Sequence, residues 1–153
     1  MSADDRLKAL NIFIPEAPSP KGNYVPAIEH NGLLYISGQG PLLENGDFAR
    51  GIVGRDVSVE EAYQHARRTG LMLLACARQA LGSLDRVERV LQVLGMVNAA
   101  PDFIQHPKVI NGCSDLFVEV FGEAGRHTRA AVGMGTLPES ITVEITAVMA
   151  VKP

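Results

Sequence analysis

Two residues near the end of the sequence carry reactive side chains among neighbours that are otherwise apolar or small. They are Arg129 in GRHTRAAVGMG and Glu144 in ITVEITAV. The planar fork of an arginine grips a carboxylate through two parallel hydrogen bonds. A nearby glutamate can position or deprotonate a water. Together the pair describes a pocket that binds a small carboxylic acid and delivers water to it. A second reading also fits: a structural ion pair between neighbouring strands, which contributes little at a surface. Both readings take Gly125–Val151 as two strands around a turn.

Few other residues offer chemistry. His30, His65, His106 and His127 show no paired ligand spacing, and Cys76 and Cys113 are far apart, so no metal site is expected. His127 reads as a surface histidine at the start of a strand. The GQG and GMG pairs have no helix after them and make no phosphate loop. No serine sits in a nucleophile elbow. The net charge is −3, tryptophan is absent and aromatics make up 5%. A nucleic-acid surface needs a basic stripe and stacking rings, so that class of partner is not expected. No apolar run approaches the roughly 18 residues of a membrane span. MSADDRLKAL lacks the basic and apolar regions of a leader peptide. The expectation is a cytoplasmic protein with two reduced thiols.

The elements that must position Arg129 and Glu144 follow from periodicity. The 153 residues suit one domain, with residues 1–23 as an N-terminal helix and connector and residues 24–153 as the core. Ser2 caps a short first helix, and IPEAPSPKGNY is extended. Asn31-Gly32 marks a hairpin between strands near Ala27–Glu29 and Leu33–Ser37. Ser58 and Glu61 form a capping box. A helix follows, with Ala62, Ala66, Gly70, Leu73, Ala77 and Leu81 on one face, ending at Gly82. Its small residues predict close approach to a sheet. RVERVLQVLGMVNA is apolar at both parities, as in a strand covered on both faces. DFIQHPKVINGCSDLFVEVFG is a second helix with Pro107 in its first turn. The order β-β-α-β-α-β-β gives an α+β fold, a mixed sheet with two helices on one face.

Strand side chains alternate between faces. Assigning the bulkier sets to the helix side puts Val143, Ile145, Ala147 and Met149 there, with Ala130, Val132 and Met134. Arg129 and Glu144 then share the opposite face, in a hollow left by Ala131, Gly133 and threonines. Two helices leave that second sheet face bare, and another subunit is the simplest cover.

The segments YVPAIEHNGLLYISGQGP, VING and RAAVGMGTLPESITVEITAV resemble the signature regions of the Rid (YjgF/YER-type) reactive intermediate deaminases, from about Tyr24 to Val151. That resemblance implies a chorismate-mutase-like fold and a homotrimer with clefts between subunits. It also implies hydrolysis of small 2-imino acids or enamines to 2-keto acids and ammonia, without a metal or organic cofactor. Arg129 matches the carboxylate-binding arginine, and Glu144 the glutamate that orients water. Tyr24, Gly38 (in an S-G-Q turn) and Asn111 match substrate-binding positions. Where the family usually has R-S-C-V this chain has RAAV, so Ala131 replaces the cysteine, and Gly133 replaces a common acidic residue. The N-terminal helix and the NAAPDFIQHPKVING loop are similar to a sister branch of the family.

Three functions therefore compete. The first is deamination by water attack. The second is a cleft that binds or senses small carboxylates without turnover. The third is ribonuclease or translation-inhibitor activity, which the acidic balance disfavours.

Overall fold

The computed structural model describes residues 1–153. The sequence begins as its capping residues dictate. Helix α1 spans Ala3–Ala9, with the Ser2 hydroxyl accepting from the Asp5 N–H at 3.1 Å and the Asp5 carboxylate returning to the Ser2 N–H at 3.4 Å. Strands β1 (Ala27–His30) and β2 (Leu33–Gln39) form the hairpin, with Asn31 and Gly32 both at positive φ. Helix α2 runs Val59–Leu81 between its Ser58 cap and a left-handed Gly82. Strand β3 is Val87–Asn98, α3 is His106–Phe121, β4 is Thr128–Met134 and β5 is Val143–Val151. The expected β-β-α-β-α-β-β order holds, with α1 added in front.

The five strands lie in the order β1-β2-β5-β3-β4. All neighbours are antiparallel except β3 and β4, which run parallel. The last two strands are therefore not a hairpin. Strand β5 pairs with β2 and β3, and β4 forms the edge beyond β3. A parallel β3–β4 pair needs a crossover, which α3 supplies.

Both long helices cover one face of the sheet. The core is a single cluster of 29 buried residues reaching from Ala3 to Val151. Two glycines let the helices approach each other closely. A Cβ on Gly112 would sit 2.0 Å from the Tyr63 carbonyl oxygen of α2, and one on Gly70 would sit 2.9 Å from Leu116 of α3. The small face of α2 thus serves helix–helix contact as well as the sheet, and Gly70 meets α3 where sheet contact was expected.

Register settles the faces. Val93 lies beside Ala147 on one side and Arg129 on the other, and it is fully buried beneath the helices. Gly95 pairs with Ala131 and Ile145. Residues paired across strands share a face, so Arg129 and Ala131 point to the helix side. The expectation from side-chain size was inverted in β4, and the reason is steric. Helix α3 lies so close that a Cβ on Gly95 would be 2.6 Å from Ile110, and one on Gly133 would be 2.6 Å from His106. Small residues here admit the helix. In β5 the expectation holds, with Val143, Ile145, Ala147 and Met149 buried. In β3, register shifts between Val87 and Arg89 and between Val90 and Gln92 move Val90 to the core face and break the simple alternation.

The second sheet face has no covering element. It carries Ile28, Tyr35, Leu94, Met96, Val132 and Val148, with Tyr35 47% exposed and Ile28 55% exposed.

Candidate functional site

The five site residues fall into two groups, one on each side of the sheet. Glu144 lies on β5 beside Met96, on the uncovered face. It lines a cavity of about 370 Å³ together with Tyr24, Ser37, Gly38, Phe48 and Glu139. A register shift in β2 between Ile36 and Gln39 shapes this wall, so Gly38 sits in a strand bulge and not in a turn. The glycine leaves room for the carboxylate: a Cβ there would stand 2.6 Å from Glu144 Oε2. Burial alone pushes the Glu144 carboxyl above the usual carboxylate range, with no hydrogen bond or cation offsetting it.

The extended connector forms the outer wall. The Tyr24 hydroxyl accepts from the Lys21 N–H at 3.3 Å, and the ring is half exposed. The Lys21 ammonium lies 5.0 Å from the Phe48 ring centroid and 3.3 Å from the Glu139 carboxylate. On the rim, Glu139 and Ser140 both adopt left-handed backbone, φ 54° and 58°. For two consecutive non-glycine residues this is strained. It is held by Arg50 Nε donating to the Glu139 carbonyl at 3.0 Å and the Gly51 N–H donating to the Ser140 carbonyl at 2.9 Å.

Arg129 occupies the other side, beneath α3. Its Nη1 donates to Asn111 Oδ1 at 2.7 Å and to Ser114 Oγ at 3.1 Å. Asn111 and Ser114 are three residues apart on α3 and so share a face. Ser114 Oγ lies 2.9 Å from His127 Nε2, and His127 Nδ1 lies 2.7 Å from the Gly125 carbonyl. Arg129 opens into a shallow depression with Tyr63, Asp115 and Glu119. Both acids there are engaged: Asp115 accepts from the Tyr63 hydroxyl at 2.6 Å, and Glu119 pairs with Arg67 at 2.8 Å. Arg129 itself takes part in no ion pair, and neither does Glu144.

The structural ion pair between Arg129 and Glu144 is therefore excluded. Strand β3 separates their strands, and they face opposite sides of the sheet. Tyr24, Gly38 and Glu144 gather around one cavity, and Asn111 and Arg129 lie together on the other side of the sheet. Sequence reasoning did not single out Ser114, Lys21 or Glu139, and it read His127 as a surface residue. For Ser114 the signal was present, as the residue one helical turn after Asn111. His127 is half-buried, stacked edge-on against Phe117 at 5.9 Å, and is not a free surface residue.

Neither cysteine is placed for chemistry. Both thiols are free and buried, and burial pushes Cys76 up to about 11 and Cys113 higher still. No helix is long and apolar enough to cross a membrane.

Comparison with known proteins bears on the family and the fold. Residues 4–146 match the family described as "YjgF/chorismate_mutase-like, putative endoribonuclease". Protein TCP17 of Trypanosoma cruzi is 40% identical over 144 residues, covering 94% of this chain and 90% of that protein. The crystal structure of Atu1372 from Agrobacterium tumefaciens is 43% identical, with a TM-score of 0.89 over 98% of this chain and 92% of that one. A "putative endoribonuclease" from Shewanella oneidensis is 33% identical, with a TM-score of 0.94 over 99% of this chain and all of that one. With the five-stranded mixed sheet, the helices on one face and the match along most of its length, the chain belongs to the YjgF-like (Rid) family.

Proposed function

We propose that these two groups of residues are half-sites that meet across a subunit boundary in a homotrimer, and that the composite cleft hydrolyses small 2-imino acids to 2-keto acids and ammonia. The observation that carries this reading is the placement of Arg129 and Glu144. Each is a partly buried charge without an ionic partner, and they lie on opposite faces of the sheet. One chain cannot bring both to one small ligand. Two copies can, and the bare apolar sheet face supplies a reason to associate.

In the composite cleft Arg129 clamps the substrate carboxylate and so fixes the imine carbon next to it. Glu144 from the adjoining copy holds a water and accepts its proton as oxygen attacks that carbon. The carbon–oxygen bond forms and the carbon–nitrogen π bond opens onto nitrogen. Proton transfer then makes nitrogen an ammonia leaving group, and the carbon–nitrogen bond breaks as the ketone forms. No thiol is required, so Ala131 is compatible with this route. The raised pKa of Glu144 suits a residue that takes and returns a proton.

A coupled assay tests the proposal. An amino-acid oxidase generates 2-imino acids, and semicarbazide competes for them before they hydrolyse. The protein is expected to raise keto-acid yield and lower semicarbazone. Unchanged yields over a panel of aliphatic amino acids sink the catalytic reading. If pyruvate still binds, the second reading stands: a carboxylate-binding cleft without turnover, which Ala131 in place of a nucleophile favours.

A further inference from the structure

The Arg129 guanidinium is held from one side only. Its Nη1 lies between Asn111 Oδ1 at 2.7 Å and Ser114 Oγ at 3.1 Å, which uses both hydrogens of that nitrogen. Its Nε and Nη2 donate to nothing in the chain. Those two nitrogens form the side-on edge of the fork, the edge that meets a carboxylate with two parallel bonds. Behind Ser114 the chain of contacts continues to His127 and ends on the Gly125 carbonyl.

The direction of every bond in that chain is fixed by chemistry. A backbone carbonyl can only accept, so His127 Nδ1 carries a hydrogen and donates at 2.7 Å. In the neutral ring Nε2 is then an acceptor, and Ser114 must give it its hydroxyl hydrogen across 2.9 Å. The hydroxyl oxygen, its hydrogen so committed, turns its lone pairs to Arg129. Burial, with the Arg129 charge behind it, favours that neutral ring. The Phe117 ring, edge-on at 5.9 Å, limits the tilt of the imidazole. A hydroxyl free to rotate would offer the guanidinium a lone pair only part of the time.

We propose that His127, acting through Ser114, is a positioning residue that orients Arg129 so that its Nε–Nη2 edge faces the substrate carboxylate. This rests on the reading of Arg129 as the carboxylate clamp. The residues sit at the start of β4 and on one face of α3, so the relay reaches the guanidinium from the two elements that flank it. Its effect belongs to binding: KM should rise while kcat stays near the wild-type value, because His127 touches neither the reacting carbon nor the water.

Calorimetric titration with pyruvate, on wild type, Arg129→Lys, Ser114→Ala, His127→Leu and His127→Gln, tests the relay. His127→Leu keeps bulk against Phe117 and removes both hydrogen bonds. His127→Gln keeps one donor and one acceptor. Ser114→Ala and His127→Leu should each weaken pyruvate roughly fivefold to tenfold, the worth of one internal hydrogen bond. The double variant should lose no more than either single one, since both break the same chain. His127→Gln should recover most of the loss. In proton–nitrogen spectra the Arg129 Nε–Hε signal should shift or broaden in Ser114→Ala as the guanidinium gains freedom. Wild-type affinity in Ser114→Ala and His127→Leu, with Arg129→Lys still impaired, overturns the relay alone. Wild-type affinity in Arg129→Lys overturns the clamp and the relay together. Ser114→Ala stands in for His127→Leu if the latter fails to fold.

Discussion

Arg129 and Glu144 stand on opposite faces of one sheet, their strands separated by β3: Arg129 lies beside Val93 beneath the helices, and Glu144 lies beside Met96 on the bare face. Neither has an ionic partner, although each is only partly exposed. If Arg129 clamps a carboxylate, Arg129→Lys should keep the fold and lose most affinity for pyruvate. An ammonium cannot reproduce a two-pronged contact. The expected loss is about 2–5 kcal/mol, roughly thirtyfold or more in affinity. Calorimetry beside thermal melts measures it; equal affinity for both proteins removes Arg129 from the site.

Glu144→Gln should separate catalysis from binding and from stability. Burial favours the protonated carboxyl in the folded state, so its pKa is raised above the unfolded value. A raised pKa means that the favourable contribution is present at low pH and is lost as pH rises through the folded value. At neutral pH the wild-type carboxylate is therefore a burden that glutamine lifts. Glu144→Gln should melt slightly higher than wild type at pH 7 and equal to it in acid below the usual carboxylate range. Turnover should fall while pyruvate affinity holds. A lower melting temperature at pH 7 contradicts the account of Glu144 as an unpartnered, desolvated acid.

Gly38→Ala tests the bulge. The added methyl would stand 2.6 Å from Glu144 Oε2, the far end of a flexible side chain. The carboxylate can swing away at little cost to stability, but it then no longer holds the water where attack needs it. Turnover should drop by about a hundredfold, the order expected for a misplacement of about 1 Å, with little change in melting. Wild-type turnover in Gly38→Ala would show that the position of Glu144 does not matter.

The element order, the hairpin, both helix caps and the single core were legible in the sequence. They depend on local signals such as Asn31-Gly32, Gly82 and Ser58, which caps α2 by accepting from the Glu61 N–H without the return bond of the expected capping box. The family, too, was legible, from the segments YVPAIEHNGLLYISGQGP, VING and RAAVGMGTLPESITVEITAV. What failed was long-range. Nothing local shows that β3 slips between β4 and β5, because a parallel pairing is set by how the α3 crossover packs. The small residues of β4 were misread as a hollow, whereas Gly95, Ala131 and Gly133 make room for α3. Two bulges in β3 defeated the parity count there. The division of Arg129 and Glu144 between two faces depends on that same strand order and could not be seen.

The bare sheet face should decide the oligomeric state. Leu94 lies at its centre, flanked by Ala130 and Thr146. Light scattering should give a closed trimer for the wild type, and Leu94→Lys should give a monomer that binds pyruvate poorly although Arg129 and Glu144 are untouched. A wild-type monomer that turns over imines would remove the need for a composite site.

The strictest test of that composite site is complementation. Arg129→Lys and Glu144→Gln should each be nearly inactive alone. When the two are unfolded together and refolded as a mixture, chains assemble at random. If each cleft takes its arginine from one copy and its glutamate from the next, some clefts draw Arg129 from a Glu144→Gln chain and Glu144 from an Arg129→Lys chain. Such clefts contain both native residues. For equal amounts in a closed ring of three, about a quarter of the clefts should be restored. A site contained in one chain cannot recover this way, since every chain in the mixture carries a defect. Activity near a quarter of wild type in the co-refolded sample, and none in the same proteins mixed without unfolding, is the expected result. No recovery in a sample shown by mass spectrometry to contain mixed trimers would mean that Arg129 and Glu144 do not serve one cleft.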